Sequence, residues 1–138
     1  MKFYRLLNVI LAFGLSVFVA AAQNQGPQTP EQREKQLMEF IDKEVTRLSE
    51  MLELEYWQEF YVDSTLTHDY HAMSEELEKL QSAKVENSDL YIGIQDKWMQ
   101  QIDDTYKKYF TEQQWEKYWK TTGKRNQTAR DKRKNKKK

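Results

Sequence analysis

The residues of this chain whose types and spacing could bind a metal are His68, His71 and Glu75. On a helix, at about 100° per residue, the three side chains fall within about 60° of one another. Two imidazoles and a carboxylate would suit zinc, copper or nickel. Both histidines lie opposite the apolar stripe of their segment, so the alternative is a pair of solvated surface histidines. We therefore expect no metal and no other cofactor, and keep these three residues as candidate ligands.

Other site chemistries have little support. The chain has no cysteine, which excludes thiolate metal sites, thiol redox chemistry and a cysteine nucleophile. It contains no Gly-rich phosphate loop, HExxH motif or serine elbow. Carboxylates are frequent, but on acidic helices they usually form a solvated face. We predict that the protein is not an enzyme.

Aromatic residues at the start of the second predicted helix suggest a binding surface. Trp57, Phe60 and Tyr61 lie away from the main apolar stripe of their helix. A single-layer hairpin would leave them exposed, and contiguous exposed aromatic side chains usually mark an interface. We expect them to contact a polypeptide client or a second copy of the chain, unless the first or fourth helix covers them. Trp98 lies at the centre of the third helix's stripe and is expected in the core.

Residues 1–22 have the features of a cleaved signal peptide. A basic start, an apolar run over 6–19 and three alanines at 20–22 follow one another. The run is shorter than the roughly 18 to 20 residues that a membrane-spanning helix needs. We therefore predict export to the periplasm or the extracellular space, with a flexible stretch over 23–29 before the folded domain.

The elements that must position these residues are helices. Between residues 31 and 122 there is no proline and a single glycine, so the turn signals of strand proteins are absent. Apolar residues recur at steps of three and four, which is typical of amphipathic helices. The pattern breaks near 54, 83–87 and 110. We predict an all-α, elongated or hairpin-like domain of about four helices over 30–123.

Charge is divided unevenly along the chain. Residues 23–123 carry 21 acidic and 11 basic side chains, whereas residues 124–138 carry nine basic side chains and one acidic. We predict a disordered basic tail over 124–138, ending in Lys132, Arg133, Lys134, Lys136, Lys137 and Lys138. In an exported protein its expected partner is an anionic membrane or envelope polymer, and not nucleic acid. The alternative is a solvated tail that improves solubility or folds back loosely onto the acidic domain.

Two segments resemble the Leu-Thr-x-x-Gln motif of the Spy/CpxP family of exported helical proteins. One contains Phe110, Thr111 and Gln114; the other keeps Leu54 and Gln58 but has glutamate in place of threonine. Physically, an apolar residue before an N-cap and a glutamine after it start a helix at a defined angle. The resemblance implies a dimer-forming helical hairpin protein of the cell envelope that acts as a chaperone or stress modulator.

The chain also departs from the family pattern. Its domain is acidic, where client-binding members tend to have basic patches, and the lysine-rich tail is not part of the pattern. Our leading hypothesis is an exported, non-enzymatic protein that recognises polypeptides or itself through aromatic surface. The alternatives are a structural or accessory envelope protein held to anionic surface by its tail, and a metal-binding envelope sensor.

Overall fold

The computed structural model describes residues 28–136. The predicted signal peptide over 1–22, most of the stretch 23–29, and Lys137 and Lys138 lie outside the described residues. Within 28–136 the chain forms helices and no strands, which confirms the all-α prediction. The helices are α1 (Pro30–Leu52), α2 (Tyr56–Ser82), α3 (Ser88–Tyr109), α4 (Glu112–Tyr118) and α5 (Lys124–Lys136), with one π-helical turn (Trp119–Gly123) between the last two.

The helices run alternately up and down. Contacts between Glu76 and Lys97 and between Tyr61 and Tyr109 show that α2 and α3 form an antiparallel hairpin. In the same way α1 runs antiparallel to α2, and α5 runs antiparallel to α3. The chain therefore forms three long helices, followed by a fourth helical segment that consists of α4, the π-helical turn and α5.

The hydrophobic core lies beside the two short turns that join α1 to α2 and α3 to α4. All the long helices contribute to it, and Tyr106, Phe110 and Tyr118 form an aromatic cluster with ring centroids 5.0 to 6.0 Å apart. The buried members are Ile41, Leu48, Leu52, Val62, Leu66, Ile102, Tyr106, Phe110 and Tyr118. The far half of the α2–α3 hairpin buries much less.

Trp98 lies outside this core. Its side chain is half-buried, its Nε1 donates a hydrogen bond to Glu76 at 3.1 Å, and the Lys97 ammonium lies 4.9 Å from its ring centroid. The prediction of a core tryptophan is wrong, because the buried face of α3 near the core contains Ile102, Asp103 and Tyr106, and Trp98 lies at the edge of this face beside the exposed His68.

The C-terminal residues differ from the predicted disordered tail, since 124–136 form α5. Arg130 of α5 is buried and bonds to Asp103 of α3, and Arg133 binds Asp96 through two hydrogen bonds of 2.6 and 2.9 Å. Composition alone predicted a disordered basic tail, and the alternative was a tail that improves solubility or folds back loosely onto the acidic domain. The physical reason for the difference is spacing, because Arg130 and Arg133 lie one turn apart and meet two aspartates that lie two turns apart on α3.

Candidate partner-binding surface

Four neighbouring aromatic side chains are exposed at the start of α2. Tyr56 is 87% exposed, Phe60 61%, Trp57 46% and Tyr61 41%. We call these four residues the aromatic patch. Neither α1 nor α4 covers them, so the alternative that these helices bury the aromatics does not apply.

The rings of the patch contact one another and the hairpin partner. Tyr61 meets Trp57 and Phe60 edge to face, with centroids 6.1 and 5.8 Å apart. Its other side stacks on Tyr109 of α3, with centroids 4.6 Å apart and planes 13° from parallel. The Trp57 Nε1 donates to the Glu55 carboxylate at 2.6 Å. These contacts hold a wide apolar surface in one arrangement.

Beneath the patch, Gln58 and Gln114 pair across the molecule. The Nε2 of Gln58 donates to the Oε1 of Gln114 at 2.7 Å, and the Nε2 of Gln114 donates back at 3.0 Å. Each Oε1 also accepts the N–H of its own N-cap residue, Glu55 or Thr111, at 2.9 Å. The pair therefore joins the starts of α2 and α4.

The same amides also cap the C-terminal ends of two other helices. Gln58 donates to the Tyr109 carbonyl at the end of α3, and Gln114 donates to the Leu52 carbonyl at the end of α1, at 2.9 and 3.3 Å. Phe110 is buried in the core and Leu54 packs against it. Both motif-like segments thus meet at one point. The sequence indicated the capping role of each glutamine but not their pairing.

The candidate metal ligands do not come together. The His68 Nδ1 lies 2.7 Å from Asp69, whereas the His71 ring lies between the Thr67 carbonyl at 2.6 Å and Glu34 of α1 at 3.0 Å. Glu75 is exposed. Within 28–136 no group of three histidine, cysteine or carboxylate side chains could hold a metal ion.

His71 has an electrostatic role between α1 and α2. Both of its ring nitrogens face acceptors, so the doubly protonated imidazolium satisfies both contacts. The hydrogen bond to the Thr67 carbonyl, followed by that to Glu34, raises the pKa of His71 above its ordinary value. The imidazole is therefore a salt-bridge partner and not a metal ligand in this arrangement.

A buried polar cluster fixes α5, and no motif or spacing in the sequence indicated this cluster. Asp103 accepts a hydrogen bond from the Tyr118 hydroxyl at 2.5 Å and another from Arg130. Burial, and next the nearby Asp103 charge, raise the pKa of Tyr118, which keeps its hydroxyl a donor. Gln127 also accepts from Arg130 at 2.9 Å. The carboxylate has a donor on each oxygen, as a buried charge requires.

The basic side chains of α5 fall into two groups. Arg130 and Arg133 pair with aspartates of α3. The exposed basic residues are Lys124, Arg125, Lys132, Lys134 and Lys136. Helix α5 therefore presents cations outward while two of its arginines attach it to α3.

In the described part of the chain, no helix combines the length and the apolar character needed to cross a bilayer.

Comparison with protein-family models, with curated proteins and with solved structures found no match.

Proposed function

We propose that this chain is an exported, non-enzymatic binding protein of the Spy/CpxP type that recognises polypeptides through the aromatic patch. The observation that carries this proposal is the exposure of four contiguous aromatic side chains, from 41% to 87% each, on one turn and a half of helix. Exposed apolar surface costs roughly 25 cal/mol per Å² relative to burial, so a patch of this kind favours a partner that covers it.

The rigidity of the surface supports the same function. Stacking on Tyr109 and the Gln58–Gln114 pair fix the patch before any partner arrives. A preorganised surface loses less conformational entropy on binding than a flexible one. The meeting of the two motif-like segments through their glutamines also supports kinship with the Spy/CpxP family, because each segment serves the same purpose at its own helix start.

An aggregation assay tests this function. Wild type is expected to suppress the aggregation of a reduced, unfolding client protein, and the double variant Trp57→Ala/Phe60→Ala is expected to lose most of this effect. The matched control is Leu90→Ala, which removes an isolated apolar side chain that is 50% exposed at the start of α3. Equal suppression by the double variant and by wild type would contradict the proposal, provided that circular dichroism shows both folded.

A second candidate function is association with an anionic envelope surface. The exposed cations of α5 favour it, since each lysine near an anionic membrane contributes about 1 kcal/mol of attraction. Sedimentation with vesicles containing phosphatidylglycerol tests it. Lys132→Gln/Lys134→Gln/Lys136→Gln is expected to weaken binding at low salt at least tenfold, and undiminished binding by this variant would contradict the idea.

A further inference from the structure

The acidic surroundings of the aromatic patch indicate the class of polypeptide that it binds. From residue 48 to residue 78 the chain has nine acidic side chains and no lysine or arginine. Four of the nine, Glu53, Glu55, Glu59 and Asp63, lie within the turn before α2 and its first two turns, where the patch is. Apolar side chains and carboxylates therefore share one surface.

Two of these carboxylates are available to a partner. Asp63 follows Phe60 by three residues and Tyr56 by seven, which places it on the same face of α2. Glu53 holds the left-handed position that ends α1, with φ of 52°. Both are exposed, and neither has an ion-pair partner among residues 28–136.

We infer that the aromatic patch binds cationic segments of unfolded polypeptides, in which lysine or arginine accompanies apolar side chains. The inference rests on the proposed function and specifies its substrate class. The apolar side chains of such a segment would cover the rings, and its cations would neutralise Glu53 and Asp63. Cations that lie over the exposed faces of tryptophan, tyrosine or phenylalanine are also attracted by the negative face of the ring.

The other occupants fit less well. In a twofold dimer formed through this patch, the carboxylates of one copy would face the same carboxylates of the other copy. Like charges in an interface oppose association. The α5 helix of another copy offers cations, but its one apolar residue is Ala129. An acidic segment or an anionic membrane would be repelled. The cationic apolar segment satisfies both the rings and the carboxylates.

Three fluorescein-labelled peptides of equal length and unfolded conformation test this inference with the purified protein. One combines lysine with leucine and tryptophan, the second replaces each lysine by glutamate, and the third keeps the lysines but replaces the apolar residues by serine. Fluorescence anisotropy at low salt is expected to show at least tenfold tighter binding of the first peptide than of either other one. Added salt is expected to reduce the difference in affinity between the first peptide and the glutamate peptide.

Variants assign the effect to named carboxylates. Glu53→Gln/Asp63→Asn is expected to weaken binding of the cationic apolar peptide at least threefold. The control, Glu39→Gln/Glu86→Gln, makes the same change of net charge at exposed residues on α1 and at the opposite end of the hairpin. It is expected to change binding by less than twofold.

The outcomes separate this inference from the proposed function. Equal binding of the cationic and acidic apolar peptides, reduced in both by Trp57→Ala/Phe60→Ala, would overturn the charge preference and leave a general polypeptide-binding surface. Binding of none of the peptides would overturn both. Equal binding of the serine peptide would overturn the role of the rings, and concentration-dependent dimerisation lost in Trp57→Ala/Phe60→Ala would assign the patch to a second copy.

Discussion

At the scale of single residues, the side chains of Gln58 and Gln114 form the densest group of hydrogen bonds in the described residues. Each accepts a hydrogen bond from its own N-cap residue, donates one to the C-terminal end of another helix and bonds to the other glutamine. A buried donor or acceptor that loses its partner costs about 1 to 3 kcal/mol. The pair is therefore a point where one substitution leaves several groups unsatisfied.

Gln114→Ala is expected to lower the free energy of unfolding by about 2 to 4 kcal/mol, because the Leu52 carbonyl, the Thr111 N–H and Gln58 all lose a bond. Urea unfolding followed by circular dichroism measures this. Gln113→Ala, at the exposed neighbouring position, is the control and should change stability by about 0.5 kcal/mol or less. The Gln58→Ala/Gln114→Ala double variant should cost less than the sum of its single variants; strict additivity would contradict the pairing.

Single residues also show how much of the structure can be predicted from the sequence. Thr111 and Gln114 form the predicted capping box, a signal within four residues. By contrast, the Gln58–Gln114 bond joins residues 56 apart, and the Asp103–Arg130 bond joins residues 27 apart. Such contacts depend on which helices pack together, which periodicity does not reveal. Trp98 illustrates the same limit, because the apolar spacing of α3 did not reveal that its buried face includes Asp103 and Tyr106 and leaves Trp98 at the edge.

Between the elements α1 and α2, the His71–Glu34 contact makes the attachment sensitive to pH. A raised folded-state pKa means that the contribution to stability is present below the unfolded value of about 6.5 and is lost as pH rises through the folded pKa. The contribution is expected to be below about 1 kcal/mol, because both partners are partly exposed.

NMR titration of the histidine side chains tests this contact. The pKa of His71 is expected above the ordinary histidine value of about 6.5 in wild type, and it should fall in Glu34→Gln. Asp42→Asn removes another exposed carboxylate of α1 and is the control for a general charge effect. A His71 pKa that Glu34→Gln leaves unchanged would show that the contact does not form in solution.

For the attachment of α5 to α3, the structure and the sequence make opposite predictions. A disordered tail predicts that no residue beyond 123 affects stability. The structure predicts that Arg130→Ala costs about 3 to 5 kcal/mol, since Asp103 would stay buried without its cation. Thermal and urea unfolding should show a much smaller loss for Arg133→Ala, whose ion pair is more exposed, and almost none for Lys132→Ala. Equal stability of Arg130→Ala and Lys132→Ala would favour the disordered tail.

Over the whole molecule, acidic and basic side chains are concentrated in different parts of the chain. Residues 28–82 contain 14 acidic and five basic side chains, whereas residues 104–136 contain four acidic and 11 basic ones. Two of the arginines of α5 point inward, and Asp96 and Asp103 of α3 neutralise them. This pairing stabilises the charge separation. The outward lysines and the acidic aromatic patch remain as two surfaces of opposite charge.

These two surfaces are expected to act independently, because screening at physiological salt limits charge effects to about 8 Å. Lys132→Gln/Lys134→Gln/Lys136→Gln should weaken binding to anionic vesicles at least tenfold and change binding of the cationic apolar peptide less than twofold. Glu53→Gln/Asp63→Asn should have the reverse pattern. Vesicle sedimentation and anisotropy on both variants, both carried out at physiological salt, measure the two effects. If either variant changed both affinities in parallel, the surfaces would be coupled, and the α5 lysines would belong to the same binding site as the aromatic patch.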